Sequence, residues 1–93
     1  MALPNLPLTR GSVEVGDVTV EYRALSRKEA LRVGMAFKDD PDAAETYILA
    51  CGCDVSEDEA LAWRNSTSAE DAGKVVDAII YASGLASPKA PAA

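Results

Sequence analysis

Residues 12–33 read SVEVGDVTVEYRALSRKEALRV, and the change of period inside this stretch decides the fold. From Ser12 to Tyr22, valines alternate with polar residues on both sides of Gly16-Asp17. A period of two marks a half-buried strand, and a two-residue loop with Gly at its first central position suits a type II′ turn. Such a loop sets Val15 opposite Val18 and Val13 opposite Val20. Opposed residues share a face, so Val13, Val15, Val18, Val20 and Tyr22 are expected to form one apolar side, with Glu14, Thr19 and Glu21 toward water. A lone hairpin is marginal in water, so that side needs helices or another subunit against it.

At Ser26 the signal becomes helical. Ser26 and Glu29 stand in capping-box register, flanked by Leu25 and Ala30 at the staple positions, and Ser56 and Glu59 repeat the arrangement between Val55 and Ala60. Ser68 with Asp71, or Thr67 with Glu70, opens a further helix, and Asp40-Pro41 is a cap followed by proline at the first helical position. These starts predict four helices, over 27–38, 41–52, 57–65 and 69–83. Ala44, Tyr47, Ile48 and Cys51 recur at helical spacing in the second; Ala72, Val75, Val76, Ile79, Ile80 and Ser83 do so in the fourth, which Gly84 stops. Burying the branched side chains of the fourth helix stabilises by roughly 1.5–3 kcal/mol each, which points to it as the centre of the core. The expected fold is α+β, mainly α, with an N-terminal β-hairpin packed on a small bundle of short helices. Residues 1–12, with two prolines and no period, read as an irregular arm; 13–85 read as the single domain; 86–93, rich in Ala and Pro, read as a disordered tail.

A chain of 93 residues, 48% hydrophobic and 26% charged, has the composition of one globular domain with one small core. Domains of this size bury only about two thirds of their unfolded surface, so modest stability is expected, to which a partner could add a large share. No apolar run approaches the roughly 18 residues that cross a membrane, and the N-terminus lacks the basic start and apolar stretch of a signal peptide. The reading is a cytoplasmic protein without membrane contact. A net charge of −6 argues against nucleic acid as a partner, since phosphate binding gathers Lys and Arg on one face. Between Lys38 and Arg64 there are eight acids and no base, and Arg23, Arg27, Lys28, Arg32 and Lys38 stand just before them. That block reads either as a solvated face or as one pole of a molecule that forms homo-oligomers head to tail or meets a basic partner.

Candidate chemistry is sparse. With no His there is no ordinary Ser–His or Cys–His pair, and DDPDAAET lacks the central Gly and distal Glu of a calcium loop. Cys51 and Cys53, one residue apart, are too close for an unstrained disulfide and supply only two of the four ligands of structural zinc. The carboxylates sit where capping accounts for them. The chain therefore reads as a non-enzyme without cofactor or metal. Tyr22, Phe37, Tyr47 and Trp63 are its candidate partner-contact residues, and Trp63, alone of its size on a short helix, is either a core residue or a partly exposed interface anchor.

The order of parts has a likeness. A hairpin ending VEYRALSRKEALRV, an acidic helix DAAETYILACGC, then AWRNSTSAEDAGKVVDAIIYASGL and a loose tail resemble the small tail assembly chaperones of long-tailed, siphovirus-like bacteriophages. In that family a strand of the VEYRPLS type leads into helices, and the last helix ends in a stop of the SGL type. The likeness covers roughly residues 13–86. It implies that the chain coats the helical tape measure protein before the tail tube polymerises, in the host cytoplasm. It also implies a possible partner in a longer, translationally frameshifted form of the chain itself. Two other classes stay open: a small structural adaptor or connector of a phage particle, and an acidic regulatory module, which requires Asp39 to Glu59 to form one continuous exposed face.

Overall fold

The computed structural model describes residues 3–4 and 6–85. The chain forms a hairpin of β1 (Arg10–Val15) and β2 (Val18–Arg23), followed by α1 (Arg27–Asp39), α2 (Pro41–Cys53), α3 (Glu57–Ser66) and α4 (Ala69–Ala82). It is an α+β fold, mainly α. Val15 pairs with Val18 and Val13 with Val20 in an antiparallel ladder. Of the two loop residues only Gly16 has positive φ, at 61°, the pattern of a type II′ turn.

The ladder runs further than the valine alternation suggests. Gly11 lies opposite Tyr22 and Arg10 opposite Arg23, and the Ala24 amide donates to the Thr9 carbonyl at 2.7 Å. Residues 10–12, which the sequence assigned to the arm, therefore belong to the hairpin. Gly11 both hides and permits this extension: a Cβ there would sit 2.6 Å from Tyr22 Oη, so the tyrosine ring covers the strand where a side chain is missing. The tail expected over 86–93 lies outside the described residues.

Each helix end falls within one residue of its expected position. At Ser26 the box is complete: Oγ accepts the Glu29 amide at 3.2 Å, and Glu29 Oε1 accepts the Ser26 amide at 2.8 Å. Ser56 and Ser68 each accept only the forward bond, from the Glu59 and Asp71 amides at 3.1 Å, and Asp40 accepts from Ala43 at 3.3 Å. Two helices end alike. Val55 donates back to Ala50 at 3.0 Å around left-handed Asp54, and Leu85 donates back to Ile80 at 3.1 Å around left-handed Gly84.

The sequence placed the centre of the core on α4; the structure places it on α2. Ala44, Thr46, Ile48, Leu49, Ala50 and Gly52 are all buried, and α2 touches α1, α3, α4 and β2. The physical reason is that α2 is apolar around most of its circumference, which fits a surrounded helix, whereas α4 has one apolar stripe. That stripe supplies Val75, Val76 and Ile79 to the core, while Ile80 is half-buried. α4 lies so close to α2 that a Cβ on Gly52 would overlap Ile79 Cδ1 and stand 2.8 Å from its Cγ1. Ser83 Oγ accepts the Leu25 amide at 2.8 Å and so ties the β2–α1 link to the end of α4. Among the described residues no helix is long and apolar enough to cross a membrane.

Candidate functional site

The hairpin lays its apolar face on α4 and α2, with Val15 buried and Val13, Val20 and Tyr22 partly covered. α3 packs on α2 but scarcely touches the hairpin or α4. A groove therefore stays open between them. Val20 of β2, Leu49 and Cys53 of α2, Val55 of the following link, Ala60 and Trp63 of α3, and Val75 of α4 line it, with Glu59 as its one carboxylate. Its volume is about 180 Å³. An apolar cavity of about 150 Å³ holds a benzene molecule, so this space takes one or two apolar side chains.

The groove continues toward the hairpin tip. A second hollow shares Val20 and Trp63 with the first and adds Val15, Val18, Ser66, Thr67, Ser68 and Asp71. Here one sequence expectation fails: Val18, assigned to the covered face, is 61% exposed. It shares the face of Val15, but it belongs to the tip of the hairpin, where no helix reaches across. Val18, Val20 and Trp63 thus form an apolar rim over the groove. Trp63 is half-buried, and the Ser66 hydroxyl donates to the Ala62 and Trp63 carbonyls at 3.1 and 3.2 Å, closing the turn beneath the indole.

Of the four residues marked as partner contacts, only Trp63 lines this groove. Tyr22 packs half-buried against the core on the hairpin. Tyr47, on α2, lies under the Arg32 guanidinium at 4.6 Å from the ring centroid, and burial pushes its hydroxyl pKa upward. Phe37 stands partly exposed near the end of α1. The four residues do not converge. Sequence reasoning missed Val20, Val55 and Val18 as groove and rim residues; the available signal was the hairpin's apolar face, which continues past the last helix able to cover it.

The chemistry of the groove is that of an apolar receptor. Burial raises the pKa of the Cys53 thiol, and of Cys51 on the same helix, which favours the neutral thiol that packs as a small apolar group. Among the described residues no three or more His, Cys, Asp or Glu side chains are grouped to hold a metal ion.

The acidic block is divided. Asp42 and Glu45 bind Arg64 at 2.8 and 3.0 Å, which raises the arginine's pKa further; Asp54 binds Arg23 at 3.1 Å; Glu59 faces the groove. Asp40 and Asp54 bracket α2, roughly 20 Å apart at 1.5 Å per residue. Four acids of the block, Asp40, Asp42, Glu57 and Asp58, line one cleft, while Asp54 and Glu59 lie on other surfaces. No protein-family model matches the chain, and no curated protein or solved structure does.

Proposed function

We propose that this chain is a non-catalytic binding protein that holds apolar side chains of a helical partner in the groove beneath Trp63. The observation that carries this reading is the open groove lined by Val20, Leu49, Val55, Ala60, Trp63 and Val75, with exposed Val18 at its rim. Apolar surface left uncovered on a small domain marks a contact site, and an amphipathic helix laid in an apolar groove is a common way to fill one.

The partner is the tape measure protein of a phage tail, and the chain acts on it as a tail assembly chaperone in the host cytoplasm. Support comes from the likeness of the hairpin-to-helix segment and the final helix stop to that family, together with a groove whose lining is apolar but for Glu59. A long helical chain with repeated apolar stripes aggregates unless they are covered. Many weak copies along one stripe hold it by avidity, because each small groove alone buries too little area for tight binding.

Co-expression with a long helical tape measure segment from its own gene neighbourhood tests the proposal. The segment's soluble yield should rise, and several copies of this chain should co-purify with it. A segment that stays insoluble, or is soluble but unbound, refutes the chaperone reading. Recovery of the chain from purified particles would instead identify a structural adaptor.

A further inference from the structure

We infer that α1 docks side by side on α3 of a second copy of this chain, with Leu31 and Met35 against Leu61 and with Arg27 and Lys28 facing Glu57 and Asp58. The two helices begin alike. SRKEAL at 26–31 and SEDEAL at 56–61 share the Ser cap, the Glu, the Ala and the Leu at the same steps, with opposite charge at the two positions between. In both, the Ser hydroxyl accepts the Glu amide and the Ala lies on the more covered side, Ala30 half-buried and Ala60 buried, so the two leucines occupy equivalent outward positions. Leu31 is 55% exposed, Leu61 43%, and Met35, one turn beyond Leu31, 72%.

The charges around these leucines are complementary. Arg27, Lys28 and Lys38 make no ion pair among the described residues. Leu61 lines a cleft with Asp40, Asp42, Glu57 and Asp58, in which Arg64 is the one cation. Folding explains one set and not the other: acids in the first turn of α3 suit the helix dipole, whereas Arg27 and Lys28 in the first turn of α1 oppose it. Acids brought by another molecule remove that disadvantage.

A single copy cannot make the contact itself, because α1 and α3 both pack on α2 and scarcely touch. The interface joins unlike surfaces, so each added copy leaves one of each free, and a chain or a ring results. This inference is independent of the groove beneath Trp63.

Sedimentation of the full chain at up to about 1 mM, where even a millimolar interaction is half populated, provides the test. The mass should exceed the monomer at least twofold in 0.1 M salt. Raising salt to 1 M shortens the screening length from about 10 to about 3 Å and should weaken association at least tenfold. Arg27→Glu with Lys28→Asp should be a folded monomer, since its new acids suit the helix dipole. Glu57→Arg with Asp58→Lys should be monomeric too, and mixing the two variants should restore the assembly, because each altered face matches the other. Leu31→Asp, at an exposed position clear of the caps, should abolish association in a folded chain even if the α3 variant fails to fold. Trp63→Ala should leave the assembly intact. A wild-type monomer at 0.1 M salt, an oligomer that survives the α1 charge swap or Leu31→Asp, folded swap variants whose mixture stays monomeric, or loss of assembly on Trp63→Ala would each overturn the inference.

Discussion

Arg23 and Glu29 form a two-point ion pair, Nη1 to Oε1 at 2.9 Å and Nη2 to Oε2 at 3.0 Å, and the same Glu29 oxygen that takes Nη1 also accepts the Ser26 amide. One carboxylate thus fastens the end of β2 to the start of α1. Arg23 extends the link by reaching Asp54 at the end of α2. The orientation of the hairpin, and with it one wall of the groove, depends on this junction.

The Arg23 guanidinium, against a smaller opposing effect of burial, brings the Glu29 carboxyl down to about 2 from its ordinary 4.5. A depressed folded-state value stabilises above the unfolded value, and the contribution is lost as pH falls through the folded one. Thermal stability should therefore be constant above about pH 5 and decline toward pH 2, by at most about 3 kcal/mol and by less after solvent screening. Glu29→Gln should lower the melting temperature at pH 7 and flatten the decline. An equally steep acid decline in the variant would assign it to other carboxylates.

Ser26→Ala should cost more than Ser56→Ala or Ser68→Ala. It removes the hydroxyl that accepts the Glu29 amide at a partly buried site, where water replaces it poorly, whereas each of the others removes an exposed bond; the Ser26 backbone amide keeps its bond to Glu29. The expected losses are about 1–2 kcal/mol against about 0.5–1 kcal/mol. Urea unfolding of the three variants checks the order; equal losses would mean that the partial burial of the Ser26 cap adds nothing.

Gly52→Ala should destabilise although alanine favours helices, because the added methyl meets Ile79, a fully buried side chain on α4. Overpacking of this kind costs about 1–3 kcal/mol, a fall of about 4–8 °C in melting temperature for each kcal/mol. Ile79→Val removes the overlapping Cδ1, so the double variant should lose less than the sum of the two single losses. Additive losses would show that the helices separate instead of clashing.

What the sequence shows of this fold is what is encoded locally. The hairpin turn at Gly16-Asp17, the cap at Ser26 and the stop at Gly84 each depend on residues within a few positions, and each stands where the pattern puts it. The centrality of α2 was less legible, since a helix apolar on most faces has a weak period and two of its four neighbours, β2 and α4, are remote in sequence. The groove was not legible. It exists because α3 rests on α2 alone and the hairpin tip outruns α4, so Val18 lies bare while Val15, in the same pattern, is buried. Of the marked aromatics, Trp63 comes to the groove through that same arrangement.

Trp63 is the chain's one tryptophan and lines the proposed contact, so its fluorescence tests the central claim most directly. Titrating the protein with a soluble amphipathic helical peptide from the tape measure chain should shift the emission to the blue and saturate, as a half-exposed indole loses water. Val18→Asp, at an exposed rim position, should weaken the binding at least tenfold while leaving the melting temperature within a few degrees. Binding by the peptide with no change in Trp63 emission, and with equal affinity for Val18→Asp, would contradict the account and place the contact away from the groove.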